Sequence, residues 1–211
     1  GVRLPLMLAD KTPHLLNGQN TYANYVVQLP TRGEQGQLVI KPALISRSSD
    51  VHLGYLPYTQ QHLIKQGFKF LGERYGWGHD YNGRDCTGFV GEIYKSFGLL
   101  MPRNSGQQGK GEYGTNHRFD KTSNESDKLA VVNNMQVGDL IYIPGHVMMY
   151  LGEQDGQPYV IHDVKGLGYN KADGSFYSSS LNGVSVTPLL PLRLSQTQSY
   201  LDRTYNIKRI R

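Results

Sequence analysis

The stretch RDCTGFVGEIYKSFG, residues 84–98, contains the only cysteine in a chain of 211 residues. Its apolar residues recur every three or four positions, which predicts an amphipathic helix that begins near Cys86 and ends at Gly98. The apolar face of that helix consists of Phe89, Val90, Ile93, Tyr94 and Phe97. Such a face must be covered by another element, so we expect the helix to pack on a sheet.

Two interpretations of Cys86 are open. It lies in the first turn of the predicted helix, where unpaired backbone N–H groups and the helix dipole favour a thiolate, the nucleophilic form of cysteine. The alternative is a small buried hydrophobic residue that does no chemistry. A nucleophilic thiol also needs a base, and the base needs a residue that orients it.

Short strands follow this helix. The segments DLIYI (139–143), HVMMYLG (146–152) and PYVIHDV (158–164) are separated by turn residues, and GVSVTPLLPL (183–192) and TYNIKRI (204–210) are typical of closing or edge strands. An upstream helix is expected after Thr59, a good N-cap, with Leu63, Ile64, Phe68 and Leu71 at helical spacing. Two helices followed by antiparallel strands predict an α+β fold.

The chain changes character near residue 57. Short β-branched or alternating stretches between turn formers predict a small antiparallel β-domain over residues 1–57, followed by a second domain over residues 58–211. The polar stretch 103–134 predicts a long loop with one helical turn, and residues 109–134 within it form either a lid or an ordinary surface loop.

The net charge of +5 favours anionic partners such as nucleic acid, a membrane surface or a wall polymer. The basic residues are scattered, apart from a tail cluster of Lys208, Arg209 and Arg211, and no nucleic-acid-binding motif is present, so we predict no nucleic-acid partner. No apolar run is long enough to span a bilayer, which predicts no integral membrane segment. No signal peptide is visible in the residues given.

Two of the seven histidines stand out by their positions. His146 starts one predicted strand and His162 lies in the next, and adjacent antiparallel strands can bring two such imidazoles within hydrogen-bonding distance. A cysteine at a helix start beside two such residues is the papain-like arrangement, whereas scattered structural histidines are the alternative. Together with Asp85 and His79 these residues could also hold zinc, but CxxC and HExxH motifs are absent, so we predict no metal and no cofactor.

Three blocks, in order, resemble the signature of the NlpC/P60 family of cell-wall cysteine peptidases. The first is RYGWGHDYNGRDCTGFV (74–90) with PRNSGQQ (102–108), the second is VGDLIYIPGHVMMYLG (137–152), and the third is VIHDV (160–164). The resemblance implies a papain-like catalytic domain over residues 58–211. Residues 1–57 resemble the bacterial SH3-like (SH3b) barrel that precedes this domain in one branch of the family, where it binds wall or borders the substrate cleft; a purely stabilising role is the alternative.

The resemblance also implies roles for individual residues. Cys86 is similar to the nucleophile, His146 to its base and His162 to the residue that orients the base, while Tyr75 and the backbone of Cys86 are expected to hold the oxyanion. The residues implied to bind substrate are Asp85, Thr87, Trp77, Gly78, His79, Arg103, Asn104 and Ser105. For Trp77 the structural alternative is an aromatic plug in a glycine-rich turn, and for Arg103 it is a salt bridge.

Two positions depart from the family pattern. His79 replaces the second glycine of the family's Trp-Gly-Gly stretch, which would narrow or recharge the cleft. Asn104 stands where members that recognise a free amino terminus carry aspartate, and a neutral amide binds a cationic amine more weakly than a carboxylate does.

The activity implied by the resemblance is that of a cysteine endopeptidase acting on peptidoglycan stem peptides or muropeptides at the D-γ-glutamyl–diamino acid bond. We expect a monomer in the periplasm, outside the cell or at the wall, or in the cytoplasm as a recycling enzyme. The alternatives are a non-catalytic wall-binding protein on the same fold, and a thiol amidase or acyltransferase that acts on another amide.

Overall fold

The computed structural model describes residues 2–211, and the chain divides into two compact units between Tyr55 and Leu56. The strands of the first unit are β1 (Leu15–Leu16), β2 (Gln19–Asn20), β3 (Asn24–Arg32) and β4 (Leu38–Ser46). Strands β3 and β4 form an antiparallel hairpin, and the N–H of Met7 donates to the carbonyl of Val26 beside it at 2.8 Å. In residues 2–55 each sheet has two strands, so the SH3-like barrel expected for residues 1–57 is not shown.

The second unit carries the helices and a large antiparallel sheet. Its helices are α1 (Gln60–Phe68), α2 (Cys86–Lys95), α3 (Ser105–Lys110), α4 (Glu125–Val132) and α5 (Tyr200–Arg203). Its strands are β5 (Thr115–Arg118), β6 (Leu140–Ile143), β7 (His146–Gln154), β8 (Gln157–Asn170), β9 (Phe176–Pro188), β10 (Arg193–Ser195), β11 (Gln198–Ser199) and β12 (Asn206–Arg209). The strand order is β11-β10-β8-β7-β6-β12-β5, with β9 also paired to β8, and the α+β prediction is confirmed.

Helix α2 packs on this sheet through the face that the sequence predicts. The side chains of Phe89, Val90, Ile93 and Tyr94 are fully buried, in one cluster with Val147 and other residues of the sheet. Burial of each large apolar side chain contributes about 1.5–3 kcal/mol, so this face fixes the position of the helix. Helix α2 is thereby held against strands β7 and β8.

Helix α1 starts where expected but buries a narrower face. The hydroxyl of Thr59 caps it by accepting from the His62 N–H at 3.2 Å, and Leu63 is buried. Phe68 and Leu71, expected on the same face, are 46% and 48% exposed, because the helix ends at Phe68 and Leu71 lies beyond it. Within residues 2–211 no helix combines the length and apolarity needed to cross a bilayer.

The prediction of a long loop over residues 103–134 is wrong, because this stretch contains α3, β5 and α4. Helix α4 begins with a reciprocal cap in which Asn124 accepts from the Asp127 N–H and Asp127 accepts from the Asn124 N–H, each at 2.9 Å. Strand β5 pairs with β12, about 90 residues later in the chain. Because its pairing depends on so distant a partner, the local sequence does not predict a strand here.

Two residues of the basic cluster near the end of the chain, Lys208 and Arg209, make contacts within the second unit. The Lys208 ammonium is buried and donates to the carbonyls of Gln108 (2.6 Å) and Gly111 (2.8 Å) at the end of α3. Burial lowers the pKa of Lys208 to about 8. Arg209 is ion-paired with Asp139 at 2.8 Å. Both cations therefore hold β12 in place instead of forming a free positive surface.

Candidate active site

Cys86 is the first residue of α2, and the helix cap fixes its backbone. The Asp85 carboxylate accepts from the Gly88 N–H at 2.8 Å, which satisfies one unpaired donor of the first turn. The Cys86 side chain is 7% exposed, and its Sγ lies 4.0 Å from the carbonyl oxygen of Gly145. The Val147 N–H is near enough to the sulfur to lower the pKa of the thiol, so the thiol lies against the backbone on both sides of His146.

The thiol rests in its neutral form. Burial raises the pKa of Cys86 to about 11, and the Asp85 charge adds to the rise, while the N–H groups of Val147 and Thr87 oppose it. The position at a helix N terminus, which favours a thiolate, is therefore outweighed by desolvation. Sulfur at this site becomes nucleophilic when a base removes its proton during the attack.

His146 and His162 lie side by side on strands β7 and β8. His146 Nε2 is 2.9 Å from His162 Nδ1, and His162 Nε2 is 2.9 Å from the Thr187 hydroxyl on β9. The Tyr200 ring meets the His146 ring edge-on, with centroids 6.3 Å apart. His162 is fully buried, while His146 is half-buried.

Both imidazoles are neutral at physiological pH. Burial lowers the pKa of His146 to about 4. Burial also lowers the pKa of His162 well below its usual range, and the neighbouring His146 lowers it further. Within residues 2–211 no hydrogen bond joins the His146 ring to the Cys86 thiol, so the pair rests as neutral thiol and neutral imidazole. Such contacts are often long in a free enzyme and tighten with substrate.

Asp85, Thr87, Gly78 and Arg103 are brought together in one network. Arg103 binds both oxygens of Asp85, at 2.7 and 3.1 Å, and donates to the Thr87 hydroxyl at 2.7 Å. The Gly78 N–H donates to Asp85 at 3.2 Å. Burial acts to raise the pKa of Asp85, but the hydrogen bonds from Arg103, Gly88 and Thr87 outweigh it and hold this pKa below its usual range. The network joins the loop before α2 to the segment before α3.

Tyr75 is half-buried within electrostatic range of the thiol. Desolvation raises the pKa of its phenol, and the negative charges that Cys86, Asp85 and Asp163 carry when ionised raise it further. The hydroxyl therefore keeps its proton at neutral pH and remains a hydrogen-bond donor.

The other predicted substrate residues occupy the surface. Trp77 is 76% exposed, and His79 lies against the start of α2, where a Cβ built on Gly88 would come within 2.3 Å of its Nε2. Asn104 precedes α3 and its amide reaches Gln107 at 3.5 Å, while Ser105 is the first residue of α3. The structure does not bring Asn104 or Ser105 into hydrogen-bond contact with Cys86 or the histidines.

Two residues at the site have no counterpart in the sequence-based prediction. Thr187 extends the histidine pair, and Asp163, beside His162 in β8, is fully buried with neither carboxylate oxygen hydrogen-bonded in residues 2–211. Both residues lie in segments that the sequence predicts as strands. Their contacts could not be predicted, because they depend on the register between strands β8 and β9. No group of three or more His, Cys, Asp or Glu side chains in the described part of the chain is arranged to hold a metal ion.

The model of the NlpC/P60 family matches residues 72–186. A γ-D-glutamyl-L-lysine dipeptidyl-peptidase of Bacillus cereus (strain ATCC 10987) is 36% identical over 100 residues, which cover 43% of this chain and 26% of that protein. The match thus spans about a quarter of that relative's length.

Two solved structures share the fold over almost the whole chain. An NlpC/P60 endopeptidase from Photobacterium damselae subsp. piscicida superposes with a TM-score of 0.69 at 16% identity, covering 98% of this chain and 51% of that one. An NlpC/P60 family protein from Bacillus cereus ATCC 10987 superposes with a TM-score of 0.52 at 25% identity, covering 99% of this chain and 54% of that one.

Proposed function

This chain belongs to the NlpC/P60 family, and from that premise we propose that it is a cysteine peptidase of peptidoglycan stem peptides. We propose the D-γ-glutamyl–diamino acid bond as its target. The observation that carries the proposal is the position of the Cys86 thiol, at a helix start, against the backbone that flanks His146 of the His146–His162 pair. A relative named for a γ-D-glutamyl-L-lysine activity supports the choice of bond.

In the proposed reaction the thiol and the base act together. The Cys86 sulfur attacks the γ-glutamyl carbonyl carbon while its proton passes to His146 Nδ1, the ring nitrogen that His162 leaves free. The oxyanion that forms is held by the Cys86 N–H, which has no partner inside the helix, and by the Tyr75 hydroxyl. His146 then gives the proton to the leaving amine of the diamino acid as the C–N bond breaks.

In the second half of the reaction water is the nucleophile and the Cys86 sulfur is the leaving group. His146 takes a proton from water as its oxygen attacks the thioester carbon, and the proton returns to the sulfur when the C–S bond breaks. The products are a peptide ending in D-glutamate and a peptide beginning with the diamino acid. Because both groups start neutral, no charge has to be held at the site before substrate arrives.

The Asp85 network and the loop before it are proposed to shape the substrate pocket. Asp85, Thr87 and Arg103 hold one another, so we assign them to the wall of the pocket, with Gly78 in that wall and Trp77 and His79 at its entrance. Ser105 and Asn104 are proposed to lie where the amino end of the stem peptide binds. The first unit is proposed to be an SH3b-type wall-binding module, and the enzyme to act at the cell wall.

Substitution of Asn104 tests whether the protein recognises a free amino end of the stem peptide. We expect wild-type protein to cleave glycan-linked stem peptide at least as well as the free peptide, because a neutral amide gives the free amine no charged partner. Asn104→Asp should raise kcat/KM for the free peptide about 10-fold and leave the glycan-linked peptide unchanged, since a charge-assisted hydrogen bond contributes about 1.5–3 kcal/mol. A strong wild-type preference for the free peptide would contradict this assignment.

The proposed activity is tested with a synthetic stem tetrapeptide and mass spectrometry of the products. We expect L-Ala–D-Glu and the diamino acid dipeptide from wild-type protein. A wall-binding protein would instead sediment with sacculi and release no peptide, and an amidase or acyltransferase would leave this bond intact and yield other products. Cleavage at any other bond, or no cleavage of either the free or the glycan-linked stem peptide, would overturn the assignment.

A further inference from the structure

A line of hydrogen bonds runs from the proposed base into the sheet and ends at a threonine. His146 Nε2 contacts His162 Nδ1, and His162 Nε2 contacts Thr187 Oγ1, both at 2.9 Å. His162 is 0% and Thr187 is 8% exposed, so bulk water has little access to the inner end of the line. We call these three residues, His146, His162 and Thr187, the histidine line.

The sheet fixes the position of the threonine. His162 pairs with Ser185 across β8 and β9, and Thr187 is two residues further along β9, on the same face as Ser185. Residues related in this diagonal way lie within reach of a long side chain such as histidine. Threonine is branched at Cβ and therefore stiff at χ1, so its hydroxyl is held in place by the strand.

The positions of the protons show that the two hydrogen bonds of the histidine line must run in one donor-to-acceptor direction if His146 is to act as a base. When His146 holds the proton of Cys86, both of its nitrogens are donors, so its Nε2–H must donate to His162 Nδ1. His162 must then carry its own proton on Nε2, and the atom facing that proton, Thr187 Oγ1, must accept it. In the opposite direction Thr187 donates, His162 carries its proton on Nδ1, and His146 has its proton on Nδ1 and cannot receive another there.

We propose that Thr187 is a positioning residue that accepts a hydrogen bond from His162 Nε2 and so selects the tautomer in which His146 can act as a base. The inference rests on the proposed function for its catalytic consequence but not for the tautomer. Thr187 touches neither substrate nor thiol, and its effect reaches Cys86 through two imidazoles. The hydroxyl, and not the size of the side chain, is the property that matters.

The tautomer is measured directly by 15N NMR on the full chain labelled at histidine, with His162 assigned by comparison with His162→Asn. In wild-type protein His162 is expected to be protonated at Nε2 and unprotonated at Nδ1. This readout needs no turnover, so it remains valid even if the stem peptide proves not to be the substrate. A His162 protonated at Nδ1 would overturn the inference.

The matched variants are Thr187→Val, which keeps the shape and removes the hydroxyl, and Thr187→Ser, which keeps the hydroxyl. Thr187→Val should shift His162 toward the Nδ1–H tautomer and lower kcat about 5-fold with KM within twofold of wild type, because a neutral hydrogen bond contributes about 1 kcal/mol. Thr187→Ser should retain the wild-type tautomer and most of kcat.

The same two variants, Thr187→Val and Thr187→Ser, distinguish positioning of His162 from a purely structural role of Thr187. If Thr187→Val lowers the melting temperature but leaves the His162 tautomer and kcat unchanged, the inference fails. If Thr187→Val does not fold, the wild-type and Thr187→Ser spectra still decide the direction of the hydrogen bond. An inactive wild-type protein with the expected tautomer would overturn the proposed function and leave this inference standing.

Discussion

The histidine line and the loop beside it are built in opposite ways. The line lies on three paired strands, its inner members are buried, and its contacts are set by sheet register. The rim loop, which we define as the kinked 3-10 segment Trp77–Asn82, exposes Trp77 and Tyr81 at 76% and 81% and holds His79, Tyr81 and Asn82 at positive φ. In the proposed mechanism the catalytic groups are therefore positioned by the core, whereas the proposed entrance to the site is formed by an exposed segment.

One carboxylate joins the rim loop to the helix that carries Cys86. Asp85 caps the helix that carries Cys86, accepts from Gly78 in the rim loop and binds Arg103 through both oxygens. A bidentate arginine–carboxylate contact gives geometric precision as well as attraction. The rim loop is therefore positioned relative to the thiol by a polar anchor, whereas the histidines are positioned by packing.

The largest effect is expected from breaking the histidine line at its outer end. His146→Ala should lower kcat by about 10²–10⁴-fold, the range typical of a general base. The loss of kcat is measured by steady-state cleavage of the stem tetrapeptide. His79→Ala is the matched rim-loop variant, and a loss of kcat there as large as that of His146→Ala would remove the distinction between the two regions.

The resting protonation state of the Cys86 thiol can be measured by its alkylation with iodoacetamide. Because burial raises the pKa of the thiol to about 11, the thiolate fraction should grow about tenfold per pH unit, giving a roughly 100-fold faster reaction at pH 9 than at pH 7. As the only cysteine, Cys86 gives a single signal. A rate that is flat across this range would indicate a preformed ion pair with His146.

Much of this core can be predicted from the sequence, because its signals are local. The buried face of α2 follows from spacings of three and four, and β6, β7 and β8 follow from short apolar runs between turns. His146 and His162 fall on adjacent strands for the same reason. The partner of β5 and the contact from His162 to Thr187 depend on register between segments distant in the chain, which no local pattern specifies.

The conformation of the rim loop and the structure of the polar stretch at residues 103–134 could not be predicted from the sequence. Histidine itself gives no sign that position 79 adopts φ +73°, a conformation natural to glycine, and the only hint is the glycine that the family pattern has there. In residues 103–134 the composition predicts a loop, although Asn124 and Asp127 have the spacing of a helix cap. The orphaned carboxylate of Asp163 also could not be predicted, because burial without a partner is a property of the packed structure.

Asp163 should make the core less stable at neutral than at acid pH. Burial raises its pKa to about 7, with Asp85 and Glu73 adding to the rise and Arg84 opposing it. The folded protein therefore holds a proton that the unfolded chain releases near pH 3.9, so stability is lost as pH rises from about 4 to 7. Asp163→Asn should unfold with a free energy about 1–3 kcal/mol above wild type at pH 8 and show little difference at pH 4.

Urea denaturation at both pH values provides the measurement. Asp202→Asn is the control, because Asp202 lies at the cap of α5 and its pKa is lowered by hydrogen bonds from Ser199, so that variant should lose stability at pH 8. An Asp163→Asn variant that is less stable than wild type at pH 8 would show that this carboxylate has a partner.

The smallest effect is expected from relaxing the rim loop. His79→Gly should raise the unfolding free energy by about 0.5–1 kcal/mol, because a left-handed conformation costs an L-residue about 1–2 kcal/mol and the added freedom of the unfolded chain offsets part of the gain. His79→Ala also lacks the ring but keeps the Cβ, so it should show no such gain. Thermal denaturation of both variants measures it, and equal stability would argue against strain at this position.

The central claim, that the Cys86 thiol attacks the stem peptide, is tested most directly with purified peptidoglycan. Wild-type protein and Cys86→Ala are incubated with it in parallel, and the released peptides are identified by mass spectrometry. We expect fragments ending in D-glutamate from the wild type and none from a Cys86→Ala protein that melts at a similar temperature. The same fragments, released by the variant at an undiminished rate, would contradict the account.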